Sequence, residues 1–227
     1  MFRMKIYPEA KRGLMKSMEA DSSRYFVWEQ LLIVFSSEGD SVNLDKYSKR
    51  ALELFPYHPV PYYFYGIKQL RLKKYNDALK LFKSGVELVN DNPVLSGEFY
   101  KFIGDISHEL GDVAESDNAY EKSLQYDPED SYVLNNYAYY LSLRGQELEK
   151  ARSMAKKATE LDPGNSSNLD TYAWVLFKLK EYKEASSWIK KAIEASSSPN
   201  ATLLEHHGDI LWFLNEKDEA LKLWQQA

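Results

Sequence analysis

The feature that most constrains the fold of this chain is self-similarity at a period of about 34 residues. Helical patterns end at Pro56, Pro128 and Pro163, where proline stops a helix because it lacks a backbone N–H and clashes with the preceding turn. Six repeats then begin near Tyr25, Pro59, Gly97, Tyr132, Ser166 and Ala201. A fixed period of this kind favours a stack of similar helical hairpins over a single irregular core.

Small residues recur within these repeats at places where two helices must pass closely. In the first helical segment they are Gly66, Gly104, Ala173 and Gly208. The second segment carries small residues at Ala78, Ala151, Ala185 and Ala220. Bulky residues stand on the same segments at Phe82, Tyr120, Ile189 and Trp224. The spacing of four keeps small and bulky residues on one helix face, which predicts core packing. Two repeats depart from this pattern, because Leu32 and Tyr139 take the small position in repeats one and four.

The order of residue types within a repeat resembles that of the tetratricopeptide repeat. It runs from an aromatic start through a small residue, a Tyr, an Ala, a Phe and another Ala to a closing Pro. The residues at such positions include Trp28, Gly66, Tyr75, Ala78, Phe82 and Pro56. The likeness covers residues 25–227, and segments 134–141 and 169–176 look like those of bacterial tandem-repeat proteins. The resemblance implies an all-α fold, a right-handed superhelix of helix pairs.

The resemblance also predicts where the repeats lie. Residues 1–24 are interpreted as a partial helix of a preceding repeat, and the six repeats span 25–58, 59–96, 97–131, 132–165, 166–200 and 201–227. Leu221, Leu223 and Trp224 lie in a last helix without cover, although repeat arrays usually end in a polar capping helix. We therefore expect the native protein to continue in both directions.

Composition excludes several classes of function. The chain has no cysteine, which excludes disulfides, Cys-based zinc sites and thiol catalysis. Its net charge of -5 gives no electrostatic footprint for nucleic acid, and no apolar run approaches the roughly 20 residues of a membrane span. Neither a phosphate-binding glycine loop nor a nucleophile elbow occurs. We expect no enzyme, no cofactor, no nucleic-acid partner and no direct membrane insertion.

His206, His207 and Asp209 superficially suggest a metal site. Neighbouring residues on a helix point about 100° apart, so only His206 and Asp209 share a face. His207 lies beside Gly208 at the interior seam. The spacing therefore argues against a metal site.

In the family that the chain resembles, the first helices of successive repeats line a concave groove that binds a peptide or helix of a partner. Positions facing away from the small residues are the predicted contacts: Tyr63, Ile67, Lys101, Asp105, Asn136, Tyr140, Asp170, Trp174, Phe177, Glu205, Asp209 and Trp212, with Glu29 and Ile33 beginning the row. Acids outnumber bases in this row, and its aromatic residues are candidate anchors. Alternatively, each residue serves ordinary packing or a solvated surface.

The leading hypothesis is a protein-interaction scaffold whose groove takes a basic or amphipathic segment of a partner protein. We expect exchange of Trp174 and Tyr140 for Ala to weaken partner capture without changing melting. The alternative is a structural arm of a larger bacterial envelope assembly, or of an enzyme whose active part lies outside this segment. The location stays open between the cytoplasm and, if an upstream export signal has been removed, the periplasm; the oligomeric state is open too.

Overall fold

The computed structural model describes the backbone of residues 6–227 and the side chains from Glu9 onward. This part of the chain contains helices and turns but no strand, which confirms the predicted all-α class. The first five residues of the predicted leading segment lie outside the described residues. The helices are α1 Ile6–Ala20, α2 Tyr25–Glu38, α3 Ser41–Leu54, α4 Pro59–Arg71, α5 Tyr75–Val86, α6 Pro93–Glu109, α7 Val113–Tyr126, α8 Ser131–Arg144, α9 Leu148–Leu161, α10 Ser166–Lys178, α11 Tyr182–Ala195, α12 Ala201–Phe213 and α13 Lys217–Gln226.

The helices form two compact units, with the boundary between Tyr126 and Asp127. Unit 1 holds the hairpins α2–α3, α4–α5 and α6–α7 after α1, and unit 2 holds α8–α9, α10–α11 and α12–α13. First helices of neighbouring hairpins also touch, α2 with α4 in unit 1, and α8 and α12 with α10 in unit 2. The predicted boundaries of the six repeats stay a prediction. No helix within residues 6–227 is long and apolar enough to cross a bilayer.

Short polar side chains set where many of the helices begin. Their side-chain oxygens accept backbone N–H groups of the first turn, which otherwise lack partners. The residues that do so are Asp40, Asn92, Asp130, Asn165 and Asn200. Gly39 and Gly145 end α2 and α8 with φ of 69° and 65°, a left-handed conformation that glycine adopts without strain.

Within a hairpin the two helices approach so closely that a Cβ on the first helix would collide with a ring on the second. At Gly104 such an atom would lie 2.7 Å from the ring of Tyr120, and at Gly66 it would lie 2.8 Å from Phe82. At Gly208 it would lie 2.5 Å from the indole of Trp224. The small residues of the sequence pattern are therefore required by close helix packing.

The fourth repeat corrects one sequence interpretation. Tyr139 was placed at the small position, but Ala138 is the fully buried residue and Tyr139 is partly exposed. Ala138 stands thirteen positions before Ala151, whereas Gly104 stands twelve before Ser116. One additional residue between these positions in the α8–α9 hairpin explains the shift, so the prediction was wrong by one position.

Gly104→Ala is expected to destabilise the protein by about 1–2 kcal/mol, because the added methyl group overpacks against a ring that cannot move away. The Tyr120 ring is fully buried and its hydroxyl is bonded to Asp105. Gly13→Ala is the matched control, since Gly13 also lies in a helix but has no atom within 4 Å of the added group. Denaturation midpoints should fall for the first variant and rise slightly for the second; equal shifts would contradict the packing argument.

Candidate functional site

The first helices of unit 2 bring aromatic and acidic side chains together. We call this surface the aromatic–acid face, and its residues are Tyr139, Asp170, Trp174, Phe177, Glu205, His206, Asp209, Trp212 and Phe213. Six of them were predicted from the sequence. The helices α8, α10 and α12 contribute them, and α10 lies in contact with both others.

The centre of the face is a stack of rings. The His206 ring lies on Trp174 with centroids 4.0 Å apart and planes 13° apart, and Phe177 stacks on Trp174 at 4.8 Å. His206 Nδ1 is 2.8 Å from Asp170 Oδ1, which fixes the ring. Trp174 is only 9% exposed, so its exchange would remove core packing as well as a contact surface. This corrects the expectation that melting would stay unchanged.

Exposed rings form the edge of the face that a partner can reach. Trp212 is 39% and Phe213 is 56% exposed. Phe213 also contacts Phe177 at 5.4 Å and Tyr182 at 4.9 Å between centroids. These contacts hold its ring in place without burying it, so the exposed edge is preorganised.

The carboxylates of the face make it electronegative. The pKa of Tyr139 is raised, chiefly by burial and then by the negative charges of Asp170 and Glu205. The pKa of Asp209 is raised by burial, with the Glu205 charge adding to the rise, while a hydrogen bond from Trp224 and the charge interaction with His206 act the other way. Residues 127–227 hold sixteen acidic and twelve basic residues, a net charge of -4. Most of the net negative charge of the chain, -4 of -5, therefore lies in unit 2.

The indole N–H of Trp174 is buried and has no hydrogen-bond partner among the described residues. A buried donor without an acceptor costs about 1–3 kcal/mol. Folded proteins rarely keep such groups without a reason. The unpaired N–H of Trp174 therefore lowers the stability of the packing beneath the face.

Asn136 and Tyr140 are the predicted contacts of the fourth repeat, and neither belongs to the set of residues that forms the face. Tyr139 faces the ring of His206 at 6.2 Å, while Tyr140 contacts the ring of Tyr139 at 6.0 Å. The carboxamide oxygen of Asn136 accepts a hydrogen bond from Asn135 at 3.1 Å. Alignment on Ala138 would have found Tyr139; partner contact by Asn136 and Tyr140 stays a prediction.

In unit 1 the predicted contacts serve internal packing. Tyr63 lies against the rings of Phe64, Phe82, Phe99 and Phe102. Its hydroxyl donates to Glu98 at 2.9 Å, and Lys101 forms an ion pair with the same carboxylate. Ile67 packs against both hydrophobic clusters of this unit. At the start of the row, Glu29 accepts a 3.3 Å bond from the Tyr25 hydroxyl, and Ile33 is exposed.

Asp105 and Asp209 share one structural role. The Tyr120 hydroxyl donates to Asp105 at 2.6 Å, and Trp224 Nε1 donates to Asp209 at 3.2 Å. In both hairpins the donor stands fifteen positions after the acid, on the second helix. Each acid therefore joins the two helices of its hairpin, whatever else it contacts.

The side chain of His207 is half-buried beside Gly208. Both of its ring nitrogens are buried without a hydrogen-bond partner, and burial lowers the pKa of the ring. Within the described residues, no cluster of three His, Asp or Glu side chains could hold a metal ion.

Comparison with known protein families assigns the repeats. One tetratricopeptide repeat model matches residues 119–153, and a second matches residues 98–130 and 168–199. The chain contains tandem tetratricopeptide repeats. Repeats of this family generally serve protein interaction and not catalysis. No curated protein gives a significant sequence match.

Solved structures agree with the assignment of the tetratricopeptide array. PilW, a type IV pilus biogenesis factor, aligns with a TM-score of 0.71 at 17% identity over 89% of this chain and 91% of its own. The pilF protein of Pseudomonas aeruginosa gives 0.70 at 18% over 91% and 90%. YrrB, described as a TPR protein with an unusual peptide-binding site, gives 0.67 at 18% over 84% and 95%. These identities show the fold alone; the expected bacterial character fits such neighbours.

Removing negative charge from the face should lower the pKa of Tyr139. Asp170 and Glu205 both raise it, so Glu205→Gln removes one cause while leaving the burial of the ring unchanged. Glu160→Gln on α9 is the control, because Glu160 is not among the causes of the shift. The ring signal of Tyr139 in a pH titration by NMR provides the measurement. An identical Tyr139 pKa in wild type and Glu205→Gln would show that the carboxylates do not act on this face.

Proposed function

We propose that this tetratricopeptide repeat protein is a scaffold that binds a basic, amphipathic segment of a partner protein on the aromatic–acid face. The observation that carries the proposal is that the exposed rings of Trp212 and Phe213 stand three and four positions after Asp209 on α12, with Glu205 one turn before it, so that rings and acids share one helix face. Apolar side chains of such a segment would cover the rings, and its cations would pair with the acids.

The aromatic part of the face supplies the affinity. Trp and Tyr dominate binding energies at protein interfaces because they bury large areas with little loss of conformational freedom. Trp212 stands at the edge, and its ring also contacts Trp224 at 5.5 Å. Because the rings beneath the edge are already stacked, binding would order few further side chains.

The acidic part of the face supplies the choice of partner. Glu205 is exposed and stands one helical turn before Asp209, whose pKa is raised by burial and by the Glu205 charge. A bound cation would relieve this repulsion. Lysines of the chain already lie over rings of the face, Lys178 over Trp174 at 5.6 Å and Lys217 over Trp212 at 5.0 Å. These contacts show that the rings accept cations, and a cation of a bound segment would take the place of a lysine there.

The peptide-binding site in the description of YrrB supports this mode of binding only through the shared fold. Likewise, the pilus role in the description of PilW belongs to that protein. A structural arm in an envelope assembly would need no selectivity for a basic segment. Charge selectivity therefore separates the two functions.

The test uses a synthetic peptide with Lys and Arg on one side of a helix and Leu and Phe on the other, and a counterpart with Glu at the basic positions. Calorimetry with the whole chain should show binding of the basic peptide alone. Trp212→Ala should weaken binding about tenfold, as expected for a loss of ~1.4 kcal/mol at an interface anchor. Glu205→Lys should weaken it as well, through charge repulsion.

Matched controls lie on α9. Leu161→Ala removes an equally exposed apolar side chain, and Glu160→Lys reverses a charge on an exposed glutamate. Both should bind the basic peptide as the wild type does, and all four variants should melt near the wild-type temperature. Equal binding of the acidic and basic peptides, or equal losses in the controls, would refute the proposed face.

A further inference from the structure

A cavity of about 390 Å³ lies at the N-terminal ends of α8 and α10 in unit 2. We call it the amide pocket, because four of its lining residues are asparagines, joined by a tyrosine and an aspartate: Asn135, Asn136, Asn165, Asn168, Tyr132 and Asp162. Two serines complete the lining. Its volume falls within the range of about 300–1,000 Å³ that is typical of small-molecule sites.

The back wall of the amide pocket is fixed by hydrogen bonds. Asn168 is only 3% exposed, and its Nδ2 donates to Ser131 Oγ at 2.9 Å and to the carbonyl of Ala158 at 3.1 Å. Asn165 accepts two backbone N–H groups of α10 at 3.0 and 3.2 Å, and donates to Asp162 at 3.0 Å. The polar groups are therefore held in place before any ligand arrives.

One polar atom of the pocket lining lacks a partner. Asn135 Nδ2 donates to Asn136 Oδ1 at 3.1 Å, but the Oδ1 of Asn135 is buried with no hydrogen bond among the described residues. An unpaired buried acceptor costs about 1–3 kcal/mol. The last torsion of an Asn side chain is soft, so a ligand that brings a donor can draw this oxygen to itself.

The chemistry of the lining selects a neutral ligand. None of the lining side chains carries a positive charge, so a phosphate or carboxylate would find no counterion. Carboxamides and hydroxyls both donate and accept, which suits a ligand whose own groups do both on every side. A peptide main chain instead presents its donors and acceptors along a line. Tyr132 is 52% exposed and supplies the one aromatic surface.

From this combination we propose that the amide pocket binds a neutral sugar ring. Ring hydroxyls would hydrogen-bond to the asparagines, with the free oxygen of Asn135 accepting one of them. The C–H surface of the sugar would lie against the ring of Tyr132. The proposal is independent of the proposed function, because Trp212 and Glu205 do not line this pocket.

The test applies glucose and N-acetylglucosamine to the whole chain and detects binding by saturation-transfer NMR. We expect transfer to ring protons of at least one sugar, with a dissociation constant in the millimolar range. Ser167→Gln should weaken it by narrowing the pocket, since Ser167 lines the cavity from an exposed position. Ser153→Gln, at an exposed position on α9 outside the lining, is the control and should bind normally. Tyr132→Ala should weaken binding about fivefold, which corresponds to ~1 kcal/mol.

Three results would overturn the sugar site. The first is the absence of transfer to either sugar, and the second is equal binding by Ser167→Gln and Ser153→Gln. The third is binding of the neutral probe N-acetyl-glycyl-glycine amide in place of both sugars, which would assign the pocket to a peptide main chain. None of these three results would change the binding expected for the basic peptide on the aromatic–acid face.

Discussion

Close approach of the two helices within a hairpin, seen in α4–α5, α6–α7 and α12–α13, is the constraint on which the rest of the structure depends. A ring of the second helix occupies the space that a Cβ would need, as Tyr120 does at Gly104 and Trp224 does at Gly208. The polar ends of the same two rings then reach an aspartate of the first helix. One side of each first helix is thus committed to its hairpin. Its remaining surface is available to neighbouring hairpins and to partners.

The aromatic–acid face follows from this constraint. Tyr139, Trp174 and Asp209 each come directly after the small residue of their helix, at Ala138, Ala173 and Gly208. A step of one residue turns the side chain by about 100°, away from the tight seam and toward the neighbouring first helix. The stack of Trp174 with His206 joins α10 to α12 in this way. The indole N–H of Trp174 is buried without a partner among the described residues, and burial together with the charge of Glu205 raises the pKa of Asp209.

Sequence spacing predicted the helical class, the repeat family and the seams, because a fixed period and steric exclusion leave a direct trace in residue type. Asp170 and Trp174, which spacing predicted as partner contacts, belong to the face, and their contact with a partner stays a prediction. Spacing missed Tyr139, since one extra residue before Ala151 shifts the register of that hairpin. The bond between His206 and Asp170 joins different repeats and depends on side-chain torsions, which a period does not determine. The amide pocket was missed for the same reason.

The two units differ in how their acids are compensated, and this explains why the proposed site lies in unit 2. In unit 1, basic side chains form ion pairs with acids, Lys101 with Glu98, and Lys11 with both Glu38 and Asp40. In unit 2 the ion pairs made by Arg and Lys lie away from the face, as the pair of Arg152 on α9 with Glu181 does. On the face Asp170 pairs with His206, whose ring carries a charge only when it is protonated. On the aromatic–acid face the indole N–H of Trp224 donates a hydrogen bond to Asp209. The indole is uncharged, so it does not cancel the charge of the carboxylate. The carboxylate of Asp209 thus has a hydrogen-bond donor, but its negative charge is not cancelled. A surface with such a charge attracts a cation more strongly than one whose acids are neutralised by ion pairs.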